Sequence, residues 1–496
     1  MNHRHSAAVA AASFLLMAGA GIAAAPAAFA GTPGGTYAGD RNSDFDGDGY
    51  DDVLSGAPGS TDGGREGSGH VTVQYGASNG IGTATGAPRG RTAVFGQATA
   101  GVPGTAETGD GWGSAVATGD LDADGYDDAI IAAPGEDIGS VKDAGRVTVL
   151  YGSKAGLSVT RSTVLGAATP KTGAGFGLAV AAARFTGDTK GDVLAVAHRE
   201  GAALYTYVTG SLENTSRIDT TGAPGGGAIQ PVSLTTGNYD GDDYADLVVS
   251  GQSLEEDGGG RSAVYRGGTG GLAHLRDLGG GPATASGDIN DDGFDDLVYG
   301  RPDHPHDLHE PLTGGTVGVY FGGEQGVKGV DEYGTVAQAW TQNSIGVPGT
   351  GELGDGFGAD VSLADVDGDG YDDLAVGAPG EDVGSVTDAG AVWVLRGSAH
   401  GLTATGAKSF DQNSAGVPGT AEQADRWGGQ VRLVDANGDG RSELLAAAPG
   451  ENTSDGAIWL LPASSSGTVA VGAWSYGGAS LGAPGADALF GAAIDE

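Results

Sequence analysis

Short apolar runs recur along most of this chain, each closed by glycine, proline or aspartate before it can lengthen. Leu374-Ala375-Val376 runs into Gly377-Ala378-Pro379, and Val392-Trp393-Val394-Leu395 is another such run. Elsewhere apolar and small residues alternate, as at Phe357, Ala359 and Val361, which places them on one face of a strand. The runs fall into a repeating order. An aromatic-glycine pair (Trp112-Gly113, Phe176-Gly177, Phe357-Gly358, Trp427-Gly428) opens an alternating strand, and an acidic loop of nine residues follows. A second strand ends in Gly-Ala-Pro or Ala-Ala-Pro (Gly56 to Pro58, Ala132 to Pro134, Gly377 to Pro379, Ala447 to Pro449). A third strand, such as Val147-Thr148-Val149-Leu150-Tyr151, and a less regular fourth complete the unit. Four strands per unit make a propeller blade. With 98 glycines, 19 prolines and 6% aromatics, turn-rich all-β structure is expected.

The acidic loops begin at Asp44, Asp120, Arg184, Asn238, Asp288, Asp365 and Asp435, at spacings of 76, 64, 54, 50, 77 and 70 residues. That period is too long for a short solenoid repeat and suits a blade. Three loops carry aspartate at positions one, three, five and nine: Asp44/Asp46/Asp48/Asp52, Asp120/Asp122/Asp124/Asp128 and Asp365/Asp367/Asp369/Asp373. Alternate oxygen ligands, a glycine at position six (Gly49, Gly125, Gly370) and a closing carboxylate suit a hard divalent cation, calcium above all. Position seven (Tyr50, Tyr126, Tyr371) offers its backbone carbonyl, so its side chain is free to vary. Three loops are softer: Asp288/Asn290/Asp292/Asp296 with Phe294, Asp435/Asn437/Asp439/Glu443 with Arg441, and Asn238/Asp240/Asp242/Asp246 with Tyr244. The last has Asp243 in place of glycine, which requires a left-handed aspartate. Fewer negative ligands predict weaker binding, hence about six calcium ions in three strong and three weaker sites. In the third loop acids remain only at positions five and nine (Asp188, Asp192), and Arg184 and Lys190 supply positive charge, so no ion is expected there. One Asp-Gly turn would be an ordinary solvated turn, but six with the same geometry are not. Helical EF-hand and dockerin loops need an acid at position twelve, where this chain has Ser55, Ile131, Val376 or Ala446.

Aromatic-glycine, the D-x-D-G-D-G-x-x-D loop and Gly-Ala-Pro at this spacing resemble the FG-GAP repeats of integrin α-subunits and their secreted bacterial relatives. The resemblance extends over nearly all of residues 31–496. It implies a seven-bladed β-propeller, with calcium loops between the first and second strands on one face and ligands met on the opposite face. The chain departs from the pattern at the third loop and at the missing aromatic-glycine pairs before loops four and five. It also lacks the legs, membrane span and tail of a receptor, so receptor signalling is not carried over. The last residues, Phe490-Gly491-Ala492-Ala493-Ile494, match an opening strand with no loop after it. They are expected to complete the blade of Asp44 and close the ring.

The formal charge is −40, and 29 of the 64 acids lie in the seven loops. So many carboxylates without counter-ions repel one another, and six divalent ions would bring −41 (without Arg4) to about −29. Such a surface excludes nucleic acid and anionic lipid as partners. There are no cysteines, so bound metal is the staple available to an exported chain. Residues 1–30 read as a signal peptide: His3, Arg4 and His5 precede an Ala-rich apolar stretch, and Ala28-Phe29-Ala30 is a cleavage site. The expectation is a secreted, monomeric propeller without a membrane span.

Catalytic signals are poor. Gly76-Ala77-Ser78-Asn79-Gly80 and the segment around Ser480 match G-x-S-x-G, but the first repeats at Gly152 to Gly156 and Gly397 to Gly401, the mark of a structural turn. The run Asp303 to Glu310, with His304, His306 and His309, reads as a solvated loop, with a zinc or copper site as its rival. Two loop types recur nearly verbatim, Pro134-Gly135-Glu136-Asp137 (again from Pro379) and Gly-Val-Pro-Gly from Gly101, Gly346 and Gly416. Repetition favours a building role for both. The expected function is adhesion to, or interaction with, an extracellular protein or glycan, without catalysis. The alternatives are an extracellular hydrolase or polysaccharide lyase on the same scaffold, and a passive cell-wall protein.

Overall fold

A computed structural model of the chain describes residues 43–81, 91–187, 190–222, 228–254, 260–302, 313–331 and 334–495. The signal segment and Asp303 to Glu310 lie outside these residues. Twenty-eight strands form seven four-stranded antiparallel sheets arranged as the blades of a propeller. In blade 2 the order is Ala115–Gly119, Asp128–Ala133, Arg146–Tyr151 and Ser158–Leu165, each strand pairing with the next. Blades 3 to 7 repeat this order. Blade 1 differs: its innermost strand is Ala493–Ile494, whose Ala493 and Ile494 oppose Gly56 and Ser55. The ring is therefore sealed as expected, by the C-terminal strand.

The innermost strands surround a narrow cavity of about 210 Å³ to which all seven blades contribute, among them Val116, Val180, Thr235, Ser286, Ser362 and Arg432. The cores lie between blades. Ile130 and Val149 of blade 2 cluster with Leu194 and Tyr205 of blade 3, and Val376 and Trp393 of blade 6 with Val298 and Val319 of blade 5. Sheet-on-sheet packing needs both faces of a blade apolar, hence middle strands such as Asp128–Ala133 and Asp373–Ala378 that are buried throughout.

The aromatic-glycine pair joins consecutive blades. The Trp112 amide donates to the Ser68 carbonyl of blade 1, Phe176 to Ala144 of blade 2, Trp427 to Ala389 of blade 6 and Phe490 to Asp455 of blade 7. The neighbouring glycine amide turns the other way, into its own blade: Gly113 to Ala132, Gly428 to Ala447 and Gly491 to Gly56. The accepting carbonyls sit at the end of the preceding blade's loop between strands two and three. Blade 3 has no such long loop, joining Val193–His198 to Gly201–Val208 through Arg199 and Glu200 alone. Blade 4, its neighbour, is one of the two blades that lack the aromatic-glycine pair.

The repeated surface loops are structural. Val102, Val347 and Val417 of the Gly-Val-Pro-Gly segments are buried, and the Pro348 and Pro418 carbonyls accept the indole N–H of Trp393 and Trp459 at 2.8 Å. Glu136, Glu381 and Glu451 each accept an amide N–H from a glutamine of the preceding blade, Gln97, Gln342 and Gln412. The Ser480 hydroxyl donates to the Gly477 carbonyl within a short 3-10 turn.

Candidate metal centres

The acidic loops link strands one and two in blades 2 to 7 and lead into strand two in blade 1, so all lie on the same rim of the ring. The position-one aspartate folds the loop over itself. Asp44 Oδ1 accepts the amides of Gly47 and Asp48, and Oδ2 that of Gly49. Asp365 and Asp435 repeat this arrangement with Gly370 and Gly440. The turn needs left-handed backbone twice. Position six is glycine at φ near +90° (Gly49, Gly125, Gly293, Gly370), and position four is left-handed too, at Gly47, Gly368 and Gly438 and also at Ala123 and Asp291. Asp243, expected to be left-handed, has no positive φ, so the fourth loop turns differently.

The position-nine acid is a buried clamp. Asp52, Asp128, Asp296 and Asp373 each accept the position-two amide on one oxygen and, on the other, the amide of the glycine after strand three (Gly76, Gly152, Gly322, Gly397). In the third loop the pairing of Ala183 with Val193 puts Val193 at that place and moves Asp192 to position eight, correcting the count made by sequence alone. An extra residue has entered, and the buried carboxylate is gone.

Carboxylate oxygens of Asp44/Asp46/Asp48, of Asp120/Asp122/Asp128 and of Asp365/Asp367/Asp373 lie within 4.8 Å of one another in each group. These are the three loops with the full set of aspartates. In each, the Oδ1 of the position-three residue (Asp46, Asp122, Asp367) is buried and accepts no hydrogen bond. A buried carboxylate oxygen without a donor is costly, and a hard cation is the partner its chemistry suits. Burial also pushes the acids up: Asp120 to about 6, Asp246 and Asp373 to about 7, Asp296 and Glu443 to about 8. Asp52 and Asp128 rise well above the usual carboxylate range for the same reason.

The position-five acids converge unevenly. The sequence pattern made all six of them ligands, but only Asp48 joins the converging oxygens of its loop. Asp369 stands outside the group of Asp365, Asp367 and Asp373, as Asp124 does in blade 2. Asp292, Asp369 and Asp439 are exposed, and Asp242 is partly so. These side chains also hold the turn, Asp48 and Asp124 included, whose Oδ1 accepts the amide of Tyr50 at 3.1 Å and of Tyr126 at 3.3 Å. Oδ1 of Asp242, Asp292 and Asp369 accepts the amide of the position-seven residue, Tyr244 at 2.8 Å, Phe294 at 3.2 Å and Tyr371 at 3.1 Å. Asp439 instead faces the Arg441 guanidinium at 3.8 Å. Among the described residues, the loops of Asp242, Asp292 and Asp439 bring no three carboxylates together. Each has exchanged one carboxylate for an amide, Asn238, Asn290 or Asn437, so the cluster lacks a member.

In the three full loops the donor set fits calcium. The acids at positions one and three, joined by position five in blade 1 and position nine in blades 2 and 6, would hold it with the position-seven carbonyl. The ion would neutralise charge that the loops cannot otherwise disperse.

The sequence reading missed an arginine in four of the loops. Arg91 pairs with Asp46 at 2.6 Å, Arg161 with Asp122 and with Asp124 at 2.9 Å, Arg266 with Asp240, and Arg396 with Asp367. Arg266 and Arg396 close strand three directly. In blades 1 and 2 that place is Tyr75 or Tyr151, and the arginine comes from just before the fourth strand (Arg91) or from within it (Arg161) and lies over the ring, 3.8 and 5.3 Å from its centroid. Blades 5 and 7 have Phe321 and Pro462 there, and at position three the neutral Asn290 and Asn437. Aspartate at position three thus pairs with an arginine in blades 1, 2, 4 and 6. Counting the paired arginine, the four ligand positions of blades 1, 2, 5 and 6 carry the same net charge, so acid count alone does not rank those four.

Two further contacts join the loops into a ring. The amide of position eight donates to the position-one carbonyl of the preceding blade: Asp127 to Asp44, Asp192 to Asp120, Asp295 to Asn238, Asp372 to Asp288 and Ser442 to Asp365. Where position eight is aspartate its side chain reciprocates, accepting the amides of Asp44, Asn238 and Asp288 on Asp127, Asp295 and Asp372. Position seven also packs across the joint between blades. Tyr126, Tyr244, Phe294 and Tyr50 cover the position-four glycines of the preceding blades, where a Cβ on Gly47, Gly187, Gly241 or Gly438 would meet the ring at 2.6 to 3.0 Å.

The model of the FG-GAP repeat matches residues 42–73, 112–150, 357–395 and 427–461. These carry FG-GAP repeats. They fall in blades 1, 2, 6 and 7; blade 3, with the degenerate loop, and blades 4 and 5, without the aromatic-glycine pair, are unmatched. The chain is 30% identical over 167 residues to phosphatidylinositol-glycan-specific phospholipase D of Mus musculus, covering 33% of this chain and 18% of that protein. It is 29% identical over 185 residues to integrin alpha-5 of Xenopus laevis (35% and 15%) and 30% identical over 180 residues to integrin alpha-PS2 of Drosophila melanogaster (34% and 12%). The chain thus spans less than a fifth of the length of the curated relatives it matches. Among solved structures, BBS1N in complex with ARL6DN, soaked with lead, aligns over 73% of this chain and 81% of its own at 13% identity and a TM-score of 0.38, too loosely to support an argument. Among the described residues no helix is long and apolar enough to cross a membrane.

Proposed function

We propose that this FG-GAP propeller is a secreted interaction module whose blades are clamped by calcium on one rim, leaving the other rim to meet an extracellular protein or glycan. The buried, unpartnered Oδ1 atoms of Asp46, Asp122 and Asp367 carry the calcium reading, because each lies among the carboxylates that would share one ion. Three ions are expected at the loops of Asp44, Asp120 and Asp365, and three weaker ones at those of Asn238, Asp288 and Asp435. The resemblance to integrin alpha chains supports the interaction reading, and the Ala28-Phe29-Ala30 site supports export. Likeness to a phospholipase D favours a second reading, an extracellular hydrolase, although it reaches only 18% of that enzyme. One experiment addresses both: titrate calcium calorimetrically into residues 31–496, then screen glycan, protein and phospholipid arrays with calcium and with chelator. Retained, calcium-dependent ligands support the module. Turnover of an ester or a polymer would replace it, and absence of calcium binding would remove the clamp.

A further inference from the structure

The rim opposite the acidic loops holds a cavity of about 490 Å³ between blades 2 and 3, within the range of small-molecule sites. Its origin is a pair of shortened connections. Blades 2 and 6 join their second and third strands through residues 134–145 and 379–390, and blade 3 through Arg199 and Glu200 alone. The chain entering blade 3 is also short, running from 166 to 179, whereas residues 341–359 enter blade 6 and 411–429 enter blade 7. Where those longer loops meet, a partly buried glutamine-glutamate pair fills the space, as Gln342 and Glu381 do. Between blades 2 and 3 the cavity takes its place.

The lining is unlike the rest of the surface. Lys171, Arg199 and Arg217 face the cavity beside His198, in a chain with 24 basic and 64 acidic residues. Residues 166–222 carry five bases and five acids, so this blade is neutral where the others are acidic. Lys171 spends its charge on Glu200 at 2.5 Å. Neither Arg199 nor Arg217 forms an ion pair among the described residues, and both are exposed. The floor is apolar, made by Phe176 and Tyr205, with the Tyr205 hydroxyl already donating to the Gly166 carbonyl.

We infer that this cavity binds an acidic sugar, its carboxylate on the Arg199 and Arg217 guanidiniums and its ring over the apolar floor. Guanidinium is the fork that recognises carboxylate, and a pyranose has the apolar face and hydroxyl edge that such a floor and polar rim complement. Two unpaired guanidiniums over apolar walls would be a poor site for a neutral glycan. The inference rests on the interaction-module reading and gives it a ligand class.

The test is calorimetric titration of calcium-loaded protein with tetragalacturonate, its methyl ester and tetraglutamate, repeated on an Arg199→Gln/Arg217→Gln variant. Both side chains are exposed, so the variant should melt like the parent. The expected result is binding of tetragalacturonate that weakens with salt, falls at least tenfold in the variant and is lost for the ester. Equal binding of acid and ester, indifference to the double substitution, equal binding of tetraglutamate, or no binding would each overturn the acidic-sugar site. If the array screen still finds ligands whose retention the variant leaves unchanged, the module reading stands and only this site fails.

Discussion

The Arg432 guanidinium and the Asp495 carboxylate, both nearly inaccessible to solvent, pair across the seam where the ring closes. The Ser43 hydroxyl also donates to Asp495 at 2.8 Å, and the Leu54 amide does so at 2.9 Å. One buried carboxylate thus ties blade 7, the start of the described chain and the C-terminal strand together. Counted from the aromatic residue, Asp495 fills the place of Ala117 in blade 2, and Ser43 that of Gly119. The innermost strand of blade 1 is assembled from the two ends of the chain.

Removing one partner of this pair strands the other as a buried charge, which costs roughly 3–5 kcal/mol. Asp495→Ala should therefore lower the unfolding free energy by about that much, read from the denaturant midpoint. Deleting residues 488–496 should cost more, because the edge of Val53–Ala57 is exposed as well. An unchanged midpoint in either variant would refute closure by this strand.

Calcium should stabilise the propeller by mass action, since the loops are assembled only in the folded state. Chelation is expected to lower the melting temperature by several degrees in scanning calorimetry. Asp122→Asn should reduce the number of ions bound by one while leaving the fold intact.

Arg396 competes for the carboxylate that an ion at the Asp365 loop would use. A unit positive charge roughly 5 Å from a divalent cation opposes it by about 2–3 kcal/mol at an effective dielectric of about 40–80. Arg396→Gln should thus raise calcium affinity at that loop by about tenfold and lower the melting temperature of the chelated protein. Lower affinity would mean that the arginine supports the loop instead.

The glutamates on the opposite rim make stability fall with pH. Burial, then the Asp355 charge, pushes Glu381 up to about 7, and burial does the same to Glu451. The folded state holds protons that the unfolded chain releases near the ordinary glutamate value. The associated stability is full below about 4.5 and is lost as pH rises through about 7. With calcium held saturating, melting temperature should decline from pH 5 to pH 8. Glu381→Gln keeps the amide contact without the titration, so its decline should be shallower.

Gly390 has φ +86°, and a Cβ there would lie 2.2 Å from the Trp427 carbonyl. Backbone strain and a backbone clash at the joint of blades 6 and 7 should make Gly390→Ala destabilising by more than about 2 kcal/mol in chemical denaturation. A neutral effect would show that this joint yields easily.

Much of this was readable in one dimension. Strand alternation, the aromatic-glycine pair and Gly-Ala-Pro are local signals, because a strand's faces and a turn's φ angles are set by residues a few positions apart. The acidic nonapeptide is equally local, and its three full copies are the three whose carboxylates converge. The match of Phe490-Gly491 to an opening strand even placed the seam. Spacing did not reveal how closely the acids of each loop converge, because that distance is set by the folded turn.

What needed the tertiary structure were the partners that lie a blade away. Nothing near Asp367 in sequence announces Arg396, and nothing near Gly47 announces Tyr126; both meetings follow from strand pairing and from the stacking of adjacent sheets. The extra residue in the third loop was invisible because only the pairing of Ala183 with Val193 reveals which carboxylate is missing. The cavity between blades 2 and 3 is likewise a gap between two shortened loops. The sequence by itself determined repeat, strand faces and loop chemistry, since these depend on neighbours along the chain. Charge balance, the blade joints and the open rim were decided by which blades touch, a long-range consequence of closing the ring.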